Sequence, residues 1–330
     1  MIQDKEAGDG AAGGQGFRLR SAPSMLTADS RSRLLRRMAW STLLLLLAVT
    51  CLSAYLRHSA AGLGCAPWPA CFGQGERAAA AGTAVIGGQA LTVARAAHRI
   101  TATLALLLVI AMVVASLAKP PRLWRDGALS LALLMLALML ALLGVFTPGS
   151  RLPAVAIGNL LGGFLMLAIA ARLAAPAAPR EDTLHRSAIG VAVLLVAQIV
   201  SGAFVSASQA GLACVSIREC IEQSSAAGWD WRALAPWREA AFAVGSPHAE
   251  GALAQLLHRL ASLVVAPTVA CFGVLVLRCG HRREGLALLL LLGASVALGL
   301  AGGSIGLPLV PVLLHNLAAA LLLALVLRLA

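Results

Sequence analysis

The chain has 330 residues, 59% of them hydrophobic and only 12% charged, with a mean hydropathy of +0.86 and a formal net charge of +12. Charged residues make up about a quarter of a soluble domain, so the composition excludes an ordinary soluble protein and predicts an integral membrane protein. The basic balance does not make nucleic acid a partner, because the Lys and Arg residues cluster at the ends of apolar runs and no soluble basic domain exists to present them.

Residues 1–33 read as a disordered cytoplasmic tail, since the first 30 are rich in Gly, Ala, Ser and charge without apolar periodicity. The basic cluster RSRLLRR (31–37) precedes an apolar run to Leu56 that is too long for a signal-peptide core, so it reads as a retained helix. Eight spans are predicted: about 38–57, 91–117, 127–147, 153–173, 186–207, 250–277, 284–302 and 309–329. Runs of this length must be helices in lipid, where each backbone group has to find its partner within the segment; barrel strands are shorter and alternate in polarity.

The connectors KPPRLWRD, RLAAPAAPREDTLHR and RCGHRREG after spans two, four and six are basic, whereas TPGSRLP and GGSIGLP after spans three and seven are not. The positive-inside rule then puts both termini in the cytoplasm and the long connectors 58–90 and 208–249 outside.

Those two outer connectors carry a repeat. AGLGCAPWPACFGQ (61–74) returns as AGLACVSIREC (210–220), each with two Cys separated by five residues. A His-Arg pair follows in each half, at His98-Arg99 and His258-Arg259, and then a Leu-Pro turn, at Leu152-Pro153 and Leu307-Pro308. Four spans per half is an even number, so the repeat is parallel, with its pseudo-two-fold axis along the membrane normal. The expected fold is all-α, two four-helix bundles of residues 34–175 and 176–330.

Four of the seven Cys form the loops, Cys65 with Cys71 and Cys214 with Cys220. The spacing lacks the converging ligands of a zinc site, and an oxidising outer compartment favours a disulfide in each loop; free thiols are the alternative. Cys51, Cys271 and Cys279 fall in or beside spans and read as packing residues.

Ionisable groups within a span are costly and mark functional sites. His98, His258 and His315 all lie within about two turns of the outer ends of their helices. His258 and His315 share a half, and two imidazoles on facing helices are the arrangement that ligates haem iron from both sides. The bland alternative is a hydrogen-bonded interhelical pair, but nearby small residues, Ala261, Ser262 and Ala318 to Ala320, leave room for a flat macrocycle. Arg99 and Arg259 would pair with haem propionates or else snorkel to lipid phosphate. His58, His185, His248 and His281 lie at helix ends or in loops, where a solvated side chain is the default. Trp229, Trp231 and Trp237 read as interfacial anchors, or as a cover for a cofactor mouth.

Taken together, AGLGC-x5-C-x-G-Q, the second AGLAC-x5-C, the two intramembrane His-Arg motifs and the His of the last span resemble the haem A synthase family over residues 34–330. The resemblance implies an oxidoreductase of the bacterial cytoplasmic (inner) membrane that converts the C8 methyl of haem O to the formyl of haem A for cytochrome oxidase assembly. It implies haem b between His258 and His315, and haem O as substrate in the N-terminal half beside His98. It also implies the lipid membrane, a haem O synthase and an electron-transfer partner of unstated identity.

The N-terminal half departs from the family. Where a second His is expected, alignment on Asn-Leu places Gly158 and alignment on the Leu-Pro turn places Asn159; Arg95 stands where the family has a Glu. A single His98 would leave an iron position open for oxygen chemistry, and Arg95 would pair with a substrate propionate. The alternative is a non-catalytic haem-binding assembly factor. No span is visibly broken at mid-membrane, which argues against a transporter.

Overall fold

A computed structural model describes residues 28–60, 88–147, 150, 152–175, 182–208, 210–238, 249–304 and 307–330. Eight long apolar helices occur among them, with no strand. They are α1 (Ala28–Ala60), α2 (Gly88–Leu117), α3 (Trp124–Phe146), α4 (Pro153–Ala174) and α5 (Asp182–Ala207), followed after the short α6 (Ile217–Ala226) by α7 (Ala249–Arg278), α8 (Arg282–Ser304) and α9 (Leu309–Leu329). Each long helix is apolar and long enough to cross a bilayer, so the chain is a multi-pass membrane protein. The Cys65/Cys71 loop and His248 lie outside the described residues.

The helices close into two rings. In the first, α1 packs on α2, α2 on α3, α3 on α4 and α4 back on α1; in the second, α5, α7, α8 and α9 neighbour one another in the same cyclic order. The rings meet along a seam where α4 packs on α9 and α5, and α1 also touches α9. The buried residues Leu167, Leu323 and Val326 belong to one apolar core that runs through both rings. Large apolar side chains such as Leu107, Met135 and Leu290 point outward instead, as lipid-facing positions do, since hydrocarbon imposes no cost on them.

Turns end these helices where the sequence removes a donor or changes backbone sign. Pro153 sits at the first turn of α4, where its missing N–H breaks no ladder. Leu307 adopts φ +53°, and its N–H donates to Gly302 O at 2.7 Å to close the turn before α9. Pro267 lies inside α7 and deprives that helix of one ladder bond.

Helix α1 starts at Ala28, well before the apolar run. Its basic extension is held by Arg31, which is 7% exposed and donates to the carbonyls of Lys119 and Pro121 in the α2–α3 connector. Those carbonyls, past the end of α2, are acceptors a guanidinium can satisfy; this is why helix rather than tail occupies residues 28–33.

At the end of the second ring that bears residues 210–238, here the loop end, α6 opens with Ser216 Oγ accepting from Glu219 N at 3.1 Å, a standard cap for an unpaired N–H. Cys214 and Cys220 are joined by a disulfide, and both are buried.

Candidate functional site

Between the second ring and the facing parts of α1 and α4 lies a partly open cavity of about 840 Å³, with His258 of α7 and His315 of α9 on its wall. Gln198, Ser262, Asn316 and Arg57 also line it.

Each histidine is held through Nδ1 by a polar group of a neighbouring helix. His315 Nδ1 lies 2.8 Å from Ser295 O, and since a carbonyl only accepts, Nδ1 carries the proton. His258 Nδ1 lies 3.0 Å from Ser201 Oγ and 3.2 Å from Gln198 Nε2, so it is held by a hydroxyl and an amide of α5. Gln198 Nε2 donates to the His258 carbonyl at 3.1 Å, fixing α5 against α7. With Nδ1 protonated, His315 keeps the Nε2 lone pair, the form that binds a metal.

Glycine makes these ring positions possible. A Cβ at Gly202 of α5 would stand 2.9 Å from His258 Cε1, and one at Gly299 of α8 would stand 3.1 Å from His315 Cε1. Both are closer than carbon atoms approach without displacement. Each imidazole thus rests against a bare stretch of neighbouring backbone, on one pattern used twice.

Arg259, next to His258, donates to Val215 O at 3.0 Å and Cys214 O at 3.1 Å, and its Nη1 lies 3.6 Å from Cys220 Sγ. Its guanidinium ties the disulfide loop to the helix that bears His258. Gln255, a turn earlier, donates to Gly211 O at 3.0 Å and is buried, a second tie of the same kind.

The other residues marked by the sequence are placed elsewhere. His98 is half-buried on α2, Arg95 and Arg99 are exposed there, and none of the three lines this cavity. Gly158 and Asn159 lie in α4. Trp229, Trp231 and Trp237 are all exposed, and none lines the cavity, so they do not cover it.

Two histidines expected to be solvated are not. His58 is 5% exposed, with Nε2 2.9 Å from Leu307 O, because the end of α1 is pressed against the turn before α9. His185 is partly buried with Nδ1 against the carbonyl of Ala330.

Sequence reasoning missed Gln198, Ser201 and Arg57. A signal existed for Gln198, a lone amide within the apolar run of α5, since polar groups at that depth need a partner. Arg57 and His58 carried none that separates them from ordinary helix-end residues.

Comparison with known proteins matches this architecture. The family model described as "Cytochrome oxidase assembly protein", COX15-CtaA, matches residues 36–327. The chain is also similar to Heme A synthase of Shewanella oneidensis, 28% identical over 310 residues that cover 86% of this chain and 91% of that protein. With nearly all of its membrane-spanning part inside the family model, the chain belongs to the COX15-CtaA, or haem A synthase, family of cytochrome oxidase assembly proteins.

Proposed function

We propose that the cavity of the second ring holds haem b between His258 and His315, and that the chain is a haem A synthase acting on haem O. The carrying observation is the paired arrangement of two imidazoles on one cavity wall, each held at Nδ1 by a neighbouring helix and seated on a glycine. The volume fits a large cofactor, and the mostly apolar lining fits a macrocycle with few polar edges. When bound there, haem would supply a one-electron redox centre whose potential is tuned by its axial ligands and their hydrogen bonds.

The chain's own part is orientation and exclusion. Ser295 O fixes the His315 tautomer, Ser201 and Gln198 hold His258, Gly202 and Gly299 fix ring positions, and the disulfide loop held by Arg259 and Gln255 closes over α7. In the first ring, His98 would hold the iron of the substrate haem O. Arg95, on the same helix, suits a substrate carboxylate. The basic connectors and the bacterial relative support a cytoplasmic (inner) membrane location with both termini inside.

A second reading, a non-catalytic haem-binding assembly factor, is favoured by one observation. Position 158 is Gly, position 159 is Asn and position 95 is an exposed Arg, so the first ring carries neither a second imidazole at either position nor an acid at 95. Expression with a haem O synthase followed by haem extraction separates the two. Haem A that disappears in His98→Ala supports the enzyme; haem O alone supports the assembly factor. In either case His258→Ala and His315→Ala are expected to abolish the bis-histidine absorption spectrum, and a wild-type protein purified without haem would sink both readings.

A further inference from the structure

Helix α1 belongs to the first ring, yet its loop end reaches the cavity of the second, where both Arg57 and His58 form part of the wall. The bond from His58 Nε2 to Leu307 O is donated by the ring, since a carbonyl can only accept. It fastens the end of α1 to the cavity rim and brings the adjacent Arg57 to the wall.

The Arg57 guanidinium is incompletely partnered there. One Nη donates to Ser53 Oγ at 2.9 Å, a turn back along α1, while Nε is buried with no hydrogen-bond partner. A buried cation is strongly disfavoured unless hydrogen-bonded or paired, yet among the described residues no Asp or Glu lines the cavity. The other arginine on the wall, Arg259, has its donors directed to the loop carbonyls of Cys214 and Val215.

We propose that Arg57 anchors a carboxylate of the molecule held in the second-ring cavity, so that the first half of the chain supplies a binding residue to the site of the second. On the haem reading above, on which this rests, that carboxylate is a porphyrin propionate. The planar guanidinium fork matches a carboxylate through two parallel donors, and the apolar surroundings strengthen the pair. Arg57 takes the role that sequence position suggests for Arg259, whose fork is turned to the loop.

The test uses the full chain, produced without haem and titrated in detergent with iron protoporphyrin IX or with its dimethyl ester, which lacks the charges. Wild type is expected to favour the diacid by roughly tenfold to a hundredfold, the range for a hydrogen bond to a charged group. Arg57→Gln should bring the two ligands to within about threefold of each other, Arg57→Lys should fall between, and Arg259→Gln should keep the wild-type preference. Equal uptake of both ligands by wild type overturns the proposal without need of any variant, and so does an Arg57→Gln protein that keeps the preference. Should Arg57→Gln not fold, wild type and Arg57→Lys decide. His258-dependent binding without diacid preference leaves the haem reading standing and removes this one; no binding of either ligand removes both.

Discussion

At the scale of single residues, the site is built from contacts that a methyl group would break. Gly202→Ala places its Cβ 2.9 Å from His258 Cε1 and Gly299→Ala places one 3.1 Å from His315 Cε1. Overpacking of this kind costs about 1–3 kcal/mol, and the ring must move because the other side of the contact is helix backbone. We expect both variants to span the membrane yet lose haem or its bis-histidine spectrum, Gly202→Ala more severely, as measured by haem content per protein. Removing a partner of His258 acts differently. Ser201→Ala takes away one of the two groups that hold His258 Nδ1, and outer partners of this type are worth about 10–100-fold in metal affinity. Loss of haem on dilution should therefore be faster in Ser201→Ala, with an altered reduction potential in the fraction that remains.

The histidines were legible in the sequence because an imidazole in an apolar run stands out. Their supports were not. Ser201, Gly202 and Gly299 are common residues of membrane helices, and only the packing of α5 on α7 and of α8 on α9 gives them a role.

At the scale of elements, the sequence located all eight spans, since length and apolarity suffice to define a helix in lipid. It placed the start of α1 too late, because the Arg31 bonds that hold the extension are made to a connector about 90 residues away. The Cys214–Cys220 disulfide was likewise legible from the repeated spacing, and the structure contains it. What the spacing could not reveal is its attachment through Arg259. The loop closed by this disulfide is short, so the entropic benefit is about 2 kcal/mol. Cys214→Ser is expected to lower the apparent unfolding temperature in detergent by several degrees while leaving the helices intact by circular dichroism. Arg259→Ala should loosen the same loop with its disulfide still formed, which limited proteolysis between 210 and 238 would detect. Resistance equal to wild type would show that Gln255 alone suffices to hold the loop.

At the scale of the whole molecule, the rings exchange contacts at both ends of the seam. At the loop end, His58 of α1 bonds to Leu307, and Pro236 O accepts from Ala154 N at 2.7 Å, so the segment 210–238 caps the start of α4. At the opposite end Arg172 of α4 donates to Leu327 O at 2.7 Å. These pairings join residues 82 to 249 positions apart, and a repeat read from sequence shows only that two halves are alike, not how they meet. His58→Ala would leave the Leu307 carbonyl without this donor, at about 1–3 kcal/mol if it stays dry; weaker haem retention with unchanged expression is the expected result.

The position of Arg57 and His58 has a consequence for anyone recombining such proteins. A chimera joined near residue 175, taking one half from this chain and the other from a relative, would look modular by topology, yet its second-ring cavity would inherit a foreign wall. Grafting residues 53–58 together with Leu160 and Phe164 of α4 along with the second half would carry over the whole described wall of the pocket.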